Sequence, residues 1–167
     1  SGGNDVQFAR TLEWGLRSVL VVGLPASIAL VVLSHPLVIT LYQRGEFGIA
    51  SVGPTAGSLQ AYALGLLAFM AIKILASAYF SRQDTRTPVR FGVISMICNM
   101  VMNLLFIIPL AHVGLALATS IAAFINVGLL LNGLRKLSLV AFSDDWLKFL
   151  LRTVAALAGM LLVLYAL

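Results

Sequence analysis

The chain has 167 residues, of which 60% are hydrophobic and only 10% charged, with a formal net charge of +5 and a mean hydropathy of +1.03. Soluble domains carry roughly a quarter of charged residues, and a fold this small has no interior large enough to hide so much apolar surface. The composition excludes a water-soluble globule and makes lipid the natural solvent.

The opening, 1-SGGNDVQ-7, is polar and has no basic run of the secretory-signal kind. Residues 1–13 read as a cytoplasmic leader. The chain starts at Ser1 without methionine and stops at Leu167 inside an apolar run, so it is expected to be a piece of a longer protein. Five apolar segments follow, near 14–33, 59–80, 89–110, 113–134 and 146–167. Each is close to the roughly 20 residues that cross about 30 Å of hydrocarbon as a helix. A lone spanning strand would leave its backbone groups unpaired in lipid, so the expected fold is all-α, a polytopic bundle of five spanning helices.

Between the first two spans, Leu37, Val38, Leu41 and Tyr42 recur at helical spacing before Arg44, Gly45 and Glu46. That pattern predicts a short interfacial helix near 36–44 and a Gly-rich turn. The link 109-PLAHVG-114 predicts a tight turn between the third and fourth spans. Residues 135–145 read as a cytoplasmic linker. In 143-SDDW-146 the acids suit the N-cap of the fifth helix, where negative charge favours the helix dipole.

Charge sets the orientation. Arg10 and Arg17, then Arg82, Arg86 and Arg90, then Arg135, Lys136, Lys148 and Arg152 are separated by even numbers of crossings, so nine of the eleven basic residues share one side. That side is expected to be the cytoplasm. The most polar run, 79-YFSRQDTRTPVRF-91, is then a cytoplasmic loop whose charge holds topology and meets anionic lipid heads. Pro88 suits the first turn of the next helix, Thr85 or Thr87 its cap, and Asp84 a pairing with Arg82 or Arg86.

Lys73 is the one ionisable residue well inside a span. Burying it near the bilayer centre costs at least about 2.5–3.5 kcal/mol. It either snorkels toward the heads, roughly 13 Å away at Arg82, or faces a watery cavity that receives an anion. Asn99 and Asn103 share one helix face, and Asn126 can meet them; such amides join helices or line a path. Gly65, Gly114, Gly128 and Gly133 read as points of close helix approach, and Pro25 as a kink. Cys98 is the single cysteine, so no internal disulfide forms. No span holds a carboxylate, and His35 and His112 have no partners at ligand spacing, so no metal site, cofactor site or catalytic group is expected.

The string 79-YFSRQDTRTPVRFGV-93, with 62-YALGLLAFMAIKILASA-78 before it and 99-NMVMNLLFIIPLAHVGLALATS-120 after it, resembles the MurJ (MviN) lipid II flippases of bacteria. So do 14-WGLR-17, 44-RGEF-47 and 134-LRK-136, and the resemblance covers essentially the whole chain. It implies membership of the multidrug, oligosaccharidyl-lipid and polysaccharide exporter superfamily, built as two six-helix lobes around a cavity with two extra helices. The five spans would be the ninth to thirteenth of fourteen: four in the second lobe and, at 146–167, the first of the extra pair.

The implied role is moving lipid II, the undecaprenyl-diphosphate-linked peptidoglycan precursor, from inner to outer leaflet of the inner membrane by alternating access. The implied partners are lipid II, membrane lipids and the remainder of the transporter, with no nucleic acid. Lys73, Asn99, Asn103 and Asn126 would then be substrate-path residues, and Arg82, Asp84, Arg86 and Pro88 would couple gating helices. Other readings are a drug or polysaccharide-lipid exporter of the same superfamily, or a membrane enzyme on polyprenyl phosphates using Asp144 and Asp145.

Overall fold

The computed structural model describes residues 2–42, 49–137 and 145–166. They form five helices: α1 (Gly2–Val32), α2 (Ser34–Tyr42), α3 (Ile49–Ser81), α4 (Arg86–Lys136) and α5 (Asp145–Ala166). No strand occurs among them. The fold is the expected all-α membrane bundle. Arg44, Glu46 and the Ser143–Asp144 cap lie outside the described residues.

Helical hydrogen bonding runs unbroken along α4, yet the chain reverses inside it. Ser95 Oγ donates to the carbonyl of Ala122 at 2.6 Å, and Phe91 lies 3.2 Å from where a Cβ on Gly133 would stand. At about 1.5 Å per residue a straight helix would hold such pairs tens of ångströms apart. The reversal falls between Phe106 and Gly114, where the sequence places its tight turn. Gly114 abuts the Phe106 carbonyl so closely that a Cβ there would collide with it. α4 is therefore a hairpin of two limbs, Arg86–Leu110 and His112–Lys136.

Four segments are long and apolar enough to cross a membrane among the described residues: Val6–Val32, Ser51–Ser81 and the two limbs of α4. The expectation of five spans is corrected to four. The fifth segment does become a helix, α5, but Lys148 and Arg152 occupy its first two turns.

α3 is the central strut, packed against α1, α2 and both limbs of α4. At one end a cluster of Leu12, Leu16, Leu75, Ala78, Tyr79, Leu130 and Leu134 joins α1, α3 and α4. At the other end Val38 of α2 packs on Val52 and Ala56, and Gln60 donates to Ser34 Oγ at 2.8 Å, fixing the start of α2. Leu41 and Tyr42, on the face predicted to be apolar, are exposed. Two of the nine basic residues grouped by the sequence stand at the end that holds the first cluster: Arg82 lies 5.7 Å from the Phe8 ring, and Arg17 5.7 Å from that of Trp146.

Close approach along α3–α4 follows from small residues. A Cβ on Gly65 would collide with Ser120, whose Oγ donates to the Ala61 carbonyl at 2.6 Å. Gly133 leaves room for the Tyr79 hydroxyl. Gly128 departs from the expectation: nothing lies within 4 Å of its would-be Cβ, because it faces away from the neighbouring helices.

Candidate functional site

A cleft of about 250 Å³ opens between α3 and the two limbs of α4. Its polar lining is Ser95 and Asn99 from one limb and Thr119 and Asn126 from the other, with Phe69 and Ile72 of α3 beside them. The Ser95–Ala122 hydrogen bond pins the limbs at its floor. Asn103, one turn from Asn99, donates from Nδ2 to the Asn99 Oδ1 at 2.7 Å. The Oδ1 atoms of Asn103 and Asn126 are buried and accept no hydrogen bond from the protein. A buried amide oxygen without a donor is costly, and the one on Asn126 stands at the cleft, where a water can donate to it. Asn99 and Asn126 thus line one cleft, and Asn103 is tied to it through its hydrogen bond to Asn99.

Lys73 is not among the residues lining this cleft. It is exposed on α3, on the stripe that also shows Tyr62 and Phe80. The four polar candidates of the spans are therefore two features: an amide cleft inside the α4 hairpin and a lysine on the open face of α3. Among the described residues no group of three or more His, Cys, Asp or Glu side chains could hold a metal ion.

The loop between α3 and α4 is locked by its own backbone. Gln83 has φ of 59°, the left-handed region that non-glycine residues seldom occupy. Its N–H donates to the Phe80 carbonyl at 2.9 Å, and that of Asp84 to the Tyr79 carbonyl at 3.1 Å. This pair of bonds is the Schellman ending of a helix, with glutamine where glycine is usual. Asp84 then turns back to start α4: its Oδ1 accepts the Thr87 N–H at 3.0 Å. The cap is Asp84, since Thr85 makes no side-chain capping bond and Thr87 donates to the carboxylate. Pro88 sits in the first turn, where a missing N–H costs nothing. Arg82 lies over Phe8, tying the loop to α1.

Hydrogen bonds from the Thr87 side chain and N–H hold the Asp84 carboxyl below the ordinary carboxylate range. Because the folded-state pKa is lowered, the cap's contribution is complete above the unfolded-state value and is lost as pH falls through the folded one. Asp84→Ala is expected to speed trypsin cleavage at Arg82 and Arg86 by about fivefold, a typical loss for a missing cap. Asp84→Asn keeps the accepting oxygen and should stay near wild type.

Tyr79 and Arg17 make contacts across the helices that were invisible to sequence reasoning. The Tyr79 hydroxyl, on a residue 1% exposed, donates to the Leu130 carbonyl at 2.9 Å. Arg17 pairs with Glu13 at 2.7 Å and stands over the rings of Trp146 and Phe149 at 5.7 and 5.4 Å. Arginine plus aromatic residues is the only signal, and it carries no register.

Apolar spans folded as hairpins, a polar cleft between limbs and a basic end define a class: a multi-pass α-helical protein of the membrane. A family model described as lipid II flippase MurJ matches residues 1–167. The chain belongs to the lipid II flippase MurJ family, whose place is the bacterial inner membrane. It is 50% identical over 127 residues to a probable lipid II flippase MurJ of Vibrio cholerae, covering 76% of this chain and 24% of that protein. The Haemophilus influenzae counterpart is 42% identical over 160 residues, 96% of this chain and 31% of the relative. A solved lipid II flippase MurJ in an inward closed conformation superposes with a TM-score of 0.81 at 29% identity, covering 93% of this chain and 33% of that one. The chain thus spans about a quarter to a third of the length of these relatives.

Proposed function

We propose that this chain is a portion of a lipid II flippase, carrying the undecaprenyl-diphosphate-linked peptidoglycan precursor from the inner to the outer leaflet by alternating access. The observation that carries this reading is the fold match over 93% of the chain at a TM-score of 0.81, joined to 50% identity with a relative named for that activity. The end rich in arginine faces the cytosol, where the precursor is loaded. Lys73, a cation on the open face of α3, supplies attraction for a diphosphate at a depth where charge is weakly screened. The amide cleft supplies acceptors for donors that move into it as the hairpin limbs shift. Val21, Pro25, Leu157 and Met160 border an apolar groove of about 330 Å³ between α1 and α5, suited to a polyprenyl tail. The capped loop of Arg82, Asp84, Arg86 and Pro88 couples α3 to α4 as those helices move. No covalent step is involved.

The test replaces the native full-length protein in cells by variants and measures lipid II in the outer leaflet. Depletion is expected to drain outer-leaflet precursor, and wild-type protein to restore it. Lys73→Glu, which turns attraction into repulsion, should restore less than about a tenth, and Lys73→Arg most of it. Outer-leaflet precursor persisting at its normal level after depletion would overturn the reading.

A further inference from the structure

The segment 14-WGLR-17 and Trp146 lie away from the polar cleft. Arg17 belongs to the Val6–Val32 span, so its guanidinium needs partners where water is scarce. It finds three. Glu13, one turn earlier on α1, holds it at 2.7 Å. The rings of Trp146 and Phe149, both from α5, stand edge to face with centroids 6.1 Å apart, and the guanidinium lies 5.7 and 5.4 Å from them.

Among the described helices, the backbone of α5 approaches α1 alone. Trp146 reaches further, onto the cluster of Leu12, Leu16, Leu130 and Leu134. Beyond Phe149 the α1–α5 junction is mostly a groove, bordered by Val21 and Pro25 on one side and Thr153, Ala156 and Met160 on the other. Lys148 and Arg152 add positive charge to α5, so an unneutralised Arg17 would repel it; Glu13 removes that conflict. The charged contact is therefore concentrated at one point of an otherwise open junction.

The geometry points to Arg17 as a positioning residue: with Glu13 as counter-ion it clasps the Trp146 and Phe149 rings and so seats α5 on the four-span bundle. Release of the clasp frees α5 to part from α1 along the groove. This assignment stands apart from the transport reading, because its test reads helix proximity.

The experiment uses the full-length protein, cysteine-free apart from Val21→Cys and Ala156→Cys, in native membranes with a short bifunctional thiol reagent. The pair should be bridged readily. Glu13→Gln with Arg17→Gln removes both charges without stranding either, and is expected to slow bridging about tenfold. Trp146→Leu with Phe149→Leu, keeping the ion pair, should slow it by a similar factor, and all four changes together no further. Arg17→Lys keeps a cation over the rings and should fall between. Unchanged bridging in the charge-deleted protein overturns the assignment. Should that protein fail to accumulate, unchanged bridging in the ring-deleted one overturns it equally.

Discussion

Gly133→Ala is expected to destabilise the bundle by about 2–4 kcal/mol, although helix propensity alone favours alanine over glycine by about 1 kcal/mol. The reason is the occupant of the space. A Cβ at this position collides with the Tyr79 hydroxyl and stands 3.2 Å from Phe91. Tyr79 has nowhere to retreat, because it is one of the most deeply buried side chains of the cluster that joins α1, α3 and α4. Displacing it breaks the hydrogen bond to Leu130, so overpacking of about 1–3 kcal/mol adds to the cost of a stranded buried hydroxyl. Tyr79→Phe removes the colliding oxygen. In that background Gly133→Ala should cost less than half as much, a coupling readable from a double-mutant cycle in detergent unfolding. Equal costs in the two backgrounds would mean that the hydroxyl is not at Gly133.

Gly65→Ala carries the second large effect, about 2–3 kcal/mol, at the contact between α3 and the second limb of α4. Its Cβ would collide with Ser120 Oγ, lie 2.9 Å from Ser120 Cβ and stand 3.1 Å from Phe69. In lipid no hydrophobic force draws helices together, so the closeness allowed by small residues is a large part of what holds them. Ser120→Gly moves the missing side chain to the facing helix and should recover most of the loss. The residual deficit, on the order of 0.6 kcal/mol, corresponds to the Ser120–Ala61 hydrogen bond. Recovery is measured as the return of the unfolding midpoint in the double variant.

The spans were legible because lipid admits only one kind of segment, a long apolar helix, and 109-PLAHVG-114 marks its reversal with the two residues that disturb helices. The cap of α4 was not. Thr85 or Thr87 was the expected cap and Asp84 an expected ion-pair partner, but Asp84 takes the role. A shift of one residue in the helix start decides which side chain reaches the free N–H groups. The four glycines looked alike in sequence. The neighbouring helix separates them, with Gly65, Gly114 and Gly133 in contact and Gly128 in the open.

Of the candidate site, the shared face of Asn99 and Asn103 follows from helical spacing alone. Lys73 shows the limit: its place along α3 follows from its spacing to Arg82, but its separation from the amide cleft depends on how α3 is rotated against α4. The fifth span failed for a different reason. Its hydropathy is high, but Lys148 and Arg152 sit in its first two turns, and α5 is not among the four candidate spans of the described residues. Arg17 and Trp146 meet only because the bundle folds, and no periodicity records such a pair.

The folded account stands on two antiparallel pairs of membrane-crossing segments whose positively charged turns remain inside the cell. Its sharpest check is a membrane-impermeant thiol label applied to intact cells producing full-length protein with Asp84→Cys or His112→Cys as its only thiol. The account predicts labelling of the cysteine at 112 from outside, and of the one at 84 only after the membrane is opened. Labelling at 84 in intact cells would contradict it.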